Sequence, residues 1–304
     1  MKIEVLAVTP NPAQMIVWVA RFSHRSHARA SPEADATLFR HLVQKGHWSA
    51  LEFNRWTAWV DIDTSDLSNV VRWLGEVWGW EITKHDGIHG VLISGNARTL
   101  LEGRHTVLGR VLLKKMADRP GWEWLLGKFY PMPLPLQGEE FGDIFLYVPE
   151  LGDLPPRERA KHAAALFVFR DISRACANQL VRHRRCSFMQ ESLRYVDPGD
   201  DEFWITPRTV EETQTTPRFE YLAWSAGHCY RDLVERGVPK EDARYVLPLG
   251  TKTTLVVMAS LRQWAHIIDL RTSPHAQWEI RERIGWVRDV LLERVPWFGE
   301  VIRQ

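Results

Sequence analysis

Arg182-His183-Arg184-Arg185-Cys186-Ser187-Phe188-Met189-Gln190-Glu191-Ser192-Leu193-Arg194-Tyr195 gathers four arginines and a histidine in a chain whose formal net charge is only +1. Like charges packed this densely repel one another, so the run needs a counter-charge from outside or from nearby carboxylates. Arginine suits a phosphate because its planar fork donates two parallel charge-assisted hydrogen bonds, which makes Arg182, Arg184 and Arg194 phosphate candidates. Ser187, Gln190 and Ser192 add neutral donors and acceptors suited to a sugar or a base edge, and His183 can stack or titrate. A small nucleotide or dinucleotide site fits this mixture best. A surface ion-pair network using Glu191 and Asp171, or a patch for RNA or single strands, are the competing readings.

Outward from this run, the apolar segment Ala163–Arg170 predicts a buried strand, and 172–181 carries helical spacing that ends at the cluster. Cations at a helix C-terminus gain about 0.3–1 kcal/mol each, too little to explain so many arginines. Downstream, Asp197-Pro198-Gly199-Asp200-Asp201 predicts a polar turn and 211–236 helices stopped at Gly237-Val238-Pro239. A helical turn at 241–244, a strand at 253–258 and helices at 261–270 and 276–295 complete the chain. Toward the N-terminus, Met1–Leu6 alternates as a strand does. Helices are expected at 13–21 and 33–45, started by Thr9-Pro10-Asn11-Pro12 and Ser31-Pro32, the second stopped by Gly46. Strands follow at 53–62 and 90–93. Between 63 and 157 the pattern changes to charged helical pieces, the proline-rich run 130–135 and a short strand at 143–148, as in an insertion or subdomain.

The 304 residues, 45% of them hydrophobic, can build a sizeable core. No stretch of about 18 apolar residues and no signal-peptide pattern is present, so no membrane partner and a cytoplasmic location are expected. The small net charge argues against a broad nucleic-acid-coating face, and no nucleic-acid partner is expected. Three widely spaced cysteines, Cys176, Cys186 and Cys229, read as free packing thiols. Fifteen tryptophans read chiefly as core and interface anchors. No spacing supports a metal site, His47 included.

Arg182-His183-Arg184, seven further residues and Ser192, followed by Arg194-Tyr195, resembles the signature of the flavin-dependent thymidylate synthases. Other segments agree in order: Ala20-Arg21-Phe22-Ser23; Lys45-Gly46-His47-Trp48-Ser49-Ala50-Leu51-Glu52; Asp171-Ile172-Ser173-Arg174-Ala175 with Gln179-Leu180-Val181; Glu241–Leu249; Leu270-Arg271; and His275–Arg281. The resemblance covers roughly two thirds of the chain.

It implies one α/β (α+β) domain over 1–304, with a central, largely antiparallel sheet flanked by helices and an insertion at about 64–165. It implies conversion of dUMP to dTMP with FAD, methylenetetrahydrofolate as carbon donor and NADPH as reductant, in a homotetramer with sites between subunits. Carried over by residue, Gln179, Arg182, Gln190, Ser192, Arg194 and Arg244 fall on dUMP positions and Arg271 on the uracil-contacting arginine. Arg182, His183, Arg184 and Gln190 fall on flavin positions, as do Ser260, Arg262 and His266, with Arg55 near the flavin phosphates. Arg271, Arg182 and Ser192 are the implied catalytic set, with Ser192 as a binder and orienter and no cysteine nucleophile required. Arg271 would stabilise charge on the uracil carbonyls.

Three positions depart from the family pattern: Phe53 stands for histidine, Arg55 for a small hydroxyl residue and Ser260 for asparagine. All three bear on the flavin and folate side. The alternatives are therefore a related enzyme that modifies C5 of the pyrimidine differently, such as a dUMP hydroxymethylase, and a non-catalytic RNA-binding member. Arg244 beside Glu241 and Asp242 also fits a plain ion pair, and His275 with Trp278 fits a helix start.

Overall fold

β-Branched and aromatic residues at period two form the strands, and each strand finds an antiparallel partner. In the computed structural model, which describes residues 2–62, 81–84, 90–127, 142–198 and 202–302, the strands divide between two four-stranded sheets. The first is ordered β1 (Lys2–Val8), β2 (Trp56–Asp61), β4 (Val91–Gly95), β3 (Glu81–Lys84), and the second β5 (Ile144–Tyr147), β6 (Ala164–Ser173), β8 (Lys252–Ser260), β7 (Cys186–Gln190). All the pairings are antiparallel. This is the mixed α/β class expected, with its sheet in two parts. The run 130–135, the turn at 199–201 and Trp73, Trp78 and Trp80 lie outside the described residues.

Helix α1 (Pro12–Phe22) starts at a proline, and α2 (Pro32–Gln44) is capped by Ser31, whose hydroxyl accepts from Ala34 N at 3.1 Å. Gly46 follows α2 with φ +70°, a left-handed conformation glycine adopts without steric cost, so the chain turns where expected. Residues of the changed-pattern stretch, in α3 (Ala97–Gly103), α4 (Val107–Ala117) and the turn at Glu123–Leu126, share a core with β1, β2, α1 and α2 through Leu100, Leu112, Met116 and Trp122.

The second sheet is covered on both faces, which its sequence already encodes. Ala165, Phe167 and Phe169 of β6, with Leu255, Val257 and Ala259 of β8, meet Trp264 on α10 (Leu261–Arg271) and Ile280 and Ile284 on α11 (Trp278–Arg294). The alternate residues Ala164, Leu166 and Val168, with Val256 and Met258, meet Met15, Val19 and Phe22 of α1. Phe167 is fully buried, its ring centroid 5.1 Å from that of Trp264 and 5.4 Å from that of Trp286. Phe167→Ala should therefore cost about 3–5 kcal/mol in urea unfolding; a loss under about 1 kcal/mol would mean that this layer is not close-packed.

A buried chain of hydrogen bonds joins the two sheets. Tyr147 Oη on β5 donates to Thr57 Oγ1 on β2 (2.9 Å), which lies 2.8 Å from Ser94 Oγ on β4. Ser94 Oγ lies 2.8 Å from His162 Nδ1 at the end of α5 (Pro156–His162), and His162 Nε2 is 2.9 Å from Thr83 Oγ1 on β3. Thr83 then donates to Glu158 Oε2 at 2.6 Å, which also receives Lys161 Nζ at 2.7 Å. No helix among the described residues is long and apolar enough to cross a membrane.

Candidate active site

The signature run contains a strand that its polar sequence conceals. Helix α6 (Arg174–Leu180), capped by the Ser173 hydroxyl, ends at Val181, and a turn then carries Arg182, His183, Arg184 and Arg185 into β7. β7 pairs with β8 from Cys186↔Ala259 to Gln190↔Leu255 and is half-buried along its length. The sheet thereby fixes Gln190 and Ser192 at one end of β7 and the arginine turn at the other.

Arg182, Arg184 and Arg185 are exposed, and among the described residues none has a carboxylate within ion-pair distance. Neither of the two acids that sequence offered as partners pairs with them. Glu191 is buried and takes Arg25, and Asp171 is an exposed residue of the β6 bulge with φ +48°. A surface ion-pair network with these acids does not account for Arg182, Arg184 and Arg185.

Arg271, at the end of α10, lies half-buried beside the turn. Its Nε donates to His183 Nε2 at 3.1 Å and its Nη2 to the main-chain oxygen of Gln179 at 3.4 Å. Burial, then the charges of Arg271 and His266, pushes the His183 pKa down to about 4, so the imidazole is neutral and accepts from the guanidinium. The His266 ring centroid is 6.4 Å from that of His183, and His266 and Arg262 both project from α10 into solvent. Gln179, His183, Arg271 and His266 thus converge.

A second group forms at the other end of β7. Gln190 Nε2 donates to Thr253 Oγ1 at 3.4 Å, and Ser192 N donates to Ser23 O at 3.0 Å. Arg194 pairs with Glu241 at 2.7 Å in the open, and Arg244 Nε donates to the Glu241 main-chain oxygen at 3.0 Å. The Glu241 carboxylate therefore serves Arg194, not Arg244.

Residues on the flavin-side positions are more heavily engaged. Ser260 is buried and caps α10, its Oγ accepting from Gln263 N at 3.2 Å, while Phe53 is fully buried in the core under α1. Arg55 enters β2 half-buried, and burial lowers its pKa against the opposing pull of Glu81, Tyr147, Cys186 and Glu52. It stands near the Cys186 end of β7. There Ser187 Oγ donates to Glu52 Oε2 at 2.7 Å, and Arg98 donates to Glu52 Oε1 at 2.6 Å. Burial raises the Cys186 pKa to about 12 and makes it a packing thiol. At the last helix, the Gln277 side chain caps α11, while His275 is exposed and Arg208 stacks over Trp278 at 5.4 Å.

Sequence reasoning passed over three residues of this region, Arg25, Arg174 and Glu191, as functional groups. Glu191 was legible only as a neighbour of arginines, and nothing local pairs it with a residue 166 positions earlier.

Residues 151–297 match the profile of the thymidylate synthase complementing protein family. A flavin-dependent thymidylate synthase from Geobacter sulfurreducens is 38% identical over 141 residues, covering 46% of this chain and 61% of that protein. One from Thermococcus onnurineus is 34% identical over 155 residues, covering 47% and 60%. The chain thus spans about three fifths of the length of these curated relatives. Among solved structures, a UMP/dUMP methylase from Streptomyces cacaoi bound with 5-Br UMP aligns with TM-score 0.42 and 24% identity over 48% of this chain and 74% of that one. Thymidylate synthase X from Helicobacter pylori with FAD and dUMP aligns with TM-score 0.39 and 21% identity over 48% and 76%. The signature arginines and the β6–β8–β7 strands lie inside residues 151–297, the stretch that is similar to the thymidylate synthase complementing protein family.

Proposed function

We propose that this chain is a flavin-dependent thymidylate synthase that converts dUMP to dTMP, with methylenetetrahydrofolate as carbon donor and NADPH as reductant. The observation that carries the reading is the set of exposed arginines without carboxylate partners, Arg182, Arg184 and Arg185, next to the ordered Arg271–His183–Gln179 group. The donors fit both ligands: guanidinium groups without partners suit the diphosphate of FAD and the phosphate of dUMP. Arg182, His183, Arg184, Arg262, His266 and Gln190 would hold FAD, with Arg55 near its phosphates and Ser260 already spent on a helix cap. FAD, when bound, supplies the two-electron reduction that turns the transferred carbon into a methyl group.

In this reading Gln179, Arg182, Gln190, Ser192, Arg194 and Arg244 bind and orient dUMP. Arg271, its position fixed by the neutral His183, donates to a uracil carbonyl as negative charge develops there. The insertion at about 64–165 of the single domain would brace the first sheet against the second. Apolar side chains exposed around the arginines, Val181, Tyr195, Tyr245, Leu249 and Leu270, support assembly into a homotetramer with sites between subunits.

The test is a visible spectrum of the purified protein, then photoreduction and addition of dUMP and methylenetetrahydrofolate, with product mass and light scattering on the same preparation. Flavin absorption bands, dTMP and four chains per particle are expected. The burial of Phe53 and the capping role of Ser260 favour a second reading on the flavin side, C5 hydroxymethylation, which a product one oxygen heavier would establish. Colourless protein that takes up no added FAD would sink both.

A further inference from the structure

Glu191 stands between two nucleotide candidates, Gln190 and Ser192, but its carboxylate is fully committed elsewhere. Arg25 Nε donates to Oε1 at 2.7 Å, Arg25 Nη2 to Oε2 at 3.2 Å, and Thr254 N to Oε2 at 3.0 Å. The Glu191 side chain is only 6% exposed while that of Arg25 is 48% exposed, so Arg25 reaches in from the surface to meet it. Arg25 does so with φ +46°, a left-handed conformation that costs a non-glycine residue energy and persists where surroundings over-determine it. Its neighbours supply that restraint: Ser23 O accepts from Ser192 N at 3.0 Å, and the His24 ring packs on Tyr195 with centroids 4.2 Å apart.

Arg174 lies on the other side of Glu191. Its Nη2 donates to the main-chain oxygen of Glu191 at 3.2 Å, but its Nε is buried with no acceptor, and among the described residues it has no ion-pair partner. A buried donor left unpaired is costly, more so on a charged group, unless something else accepts from it. Burial, then the nearby Arg244, acts against the Arg174 charge, while Glu191 favours it. Among the described residues Arg244 also has no carboxylate partner, since Glu241 gives its own to Arg194. Two guanidinium groups are therefore left without carboxylate partners among the described residues, in the neighbourhood of Glu191.

We infer that Arg25 is a positioning residue that holds the Glu191 carboxylate away from Arg174, keeping Arg174 and Arg244 together as a site for a dianionic phosphate ester. The identity of that ester as a nucleotide rests on the proposed function. The anion site itself rests on the unpaired Arg174 Nε and on the Arg25–Glu191 pair. The arrangement explains why a buried carboxylate can sit inside an anion site without quenching it. Removing Arg25 frees Glu191 to neutralise Arg174, and removing both charges restores the site.

Calorimetric titration of the full chain with dUMP, and separately with inorganic phosphate, tests this, with circular dichroism confirming the fold of each variant. Arg174→Met should weaken dUMP binding by about 10- to 100-fold, the loss of a charge-assisted contact. Arg25→Met should weaken it by about 10-fold or more, and Arg25→Met with Glu191→Gln should return to within about threefold of wild type. A structural brace would give no such rescue. Unchanged binding by Arg25→Met, or a double variant as weak as the single one, would overturn the inference and leave the synthase reading standing. Should Arg25→Met not fold, Glu191→Gln alone decides: affinity at or above wild type is expected, and a tenfold loss would refute it. Wild-type protein that binds phosphate but no uridine nucleotide would remove the nucleotide reading, and the same variant series with phosphate would still decide the role of Arg25. Failure to bind either removes both.

Discussion

Arg271→Met is expected to lower kcat by about 10²- to 10³-fold, the cost of removing one pre-aimed donor from developing negative charge, roughly 2.7–4 kcal/mol. The donor is pre-aimed because its Nε is tied to His183 Nε2 and its Nη2 to the Gln179 main chain. His183 can accept that bond only while neutral, and burial, with Arg271 and His266 beside it, keeps it so down to a pKa of about 4. Arg271→Lys should recover little, since an ammonium cannot hold both contacts and still reach a substrate carbonyl. Because Arg271 is half-buried at a helix end, thermal stability should change by far less than activity. Steady-state and single-turnover rates at saturating dUMP would settle the matter, and a kcat within threefold of wild type would exclude Arg271 from the chemistry.

The second large effect is on stability and is independent of the activity proposed. His162 is 1% exposed and sits between Ser94 Oγ and Thr83 Oγ1, with its pKa pushed down from 6.5 to about 3. Burial is the main cause, and Lys161 and Arg55 add to it while Glu158 opposes it. The folded state therefore binds a proton less readily than the unfolded chain. The stabilisation is fully present above pH 6.5 and is lost as pH falls from there toward 3. At about 1.36 kcal/mol per pH unit, His162 alone should account for roughly 2 kcal/mol between pH 6.5 and pH 5, and on the order of 4–5 kcal/mol over the whole window. Urea unfolding of wild type and His162→Gln at pH 7 and pH 5 reads this directly. The variant should be less stable at pH 7 but should lose about 2 kcal/mol less on acidification. Equal losses would show that His162 does not titrate in this range. Since His162 links β3, β4 and α5, acid should first loosen the junction of the two sheets.

Much of the frame is legible in local sequence because it depends on local periodicity. Ala164, Leu166 and Val168 alternate with Ala165, Phe167 and Phe169, which commits β6 to two apolar faces before any partner is known. Proline, serine and glycine at 12, 31 and 46 mark helix ends through backbone rules that act within a turn. Charge density and spacing alone also single out Arg182, Arg184 and Arg194, because no nearby sequence offers enough carboxylate to neutralise them. What sequence could not supply is pairing between distant residues. No strand is legible at β7, because its strand character comes from hydrogen bonds to β8, some seventy residues later, and not from its own side chains. Likewise the division of the strands into two sheets, the Tyr147-to-Glu158 chain between them and the capture of Glu191 by Arg25 require backbones to meet across the fold. The sequence by itself determined the elements and the chemistry of the arginine cluster. Only the tertiary structure decided which of those charges are neutralised and which stay free, because burial and long-range ion pairing exist only once the sheets are packed.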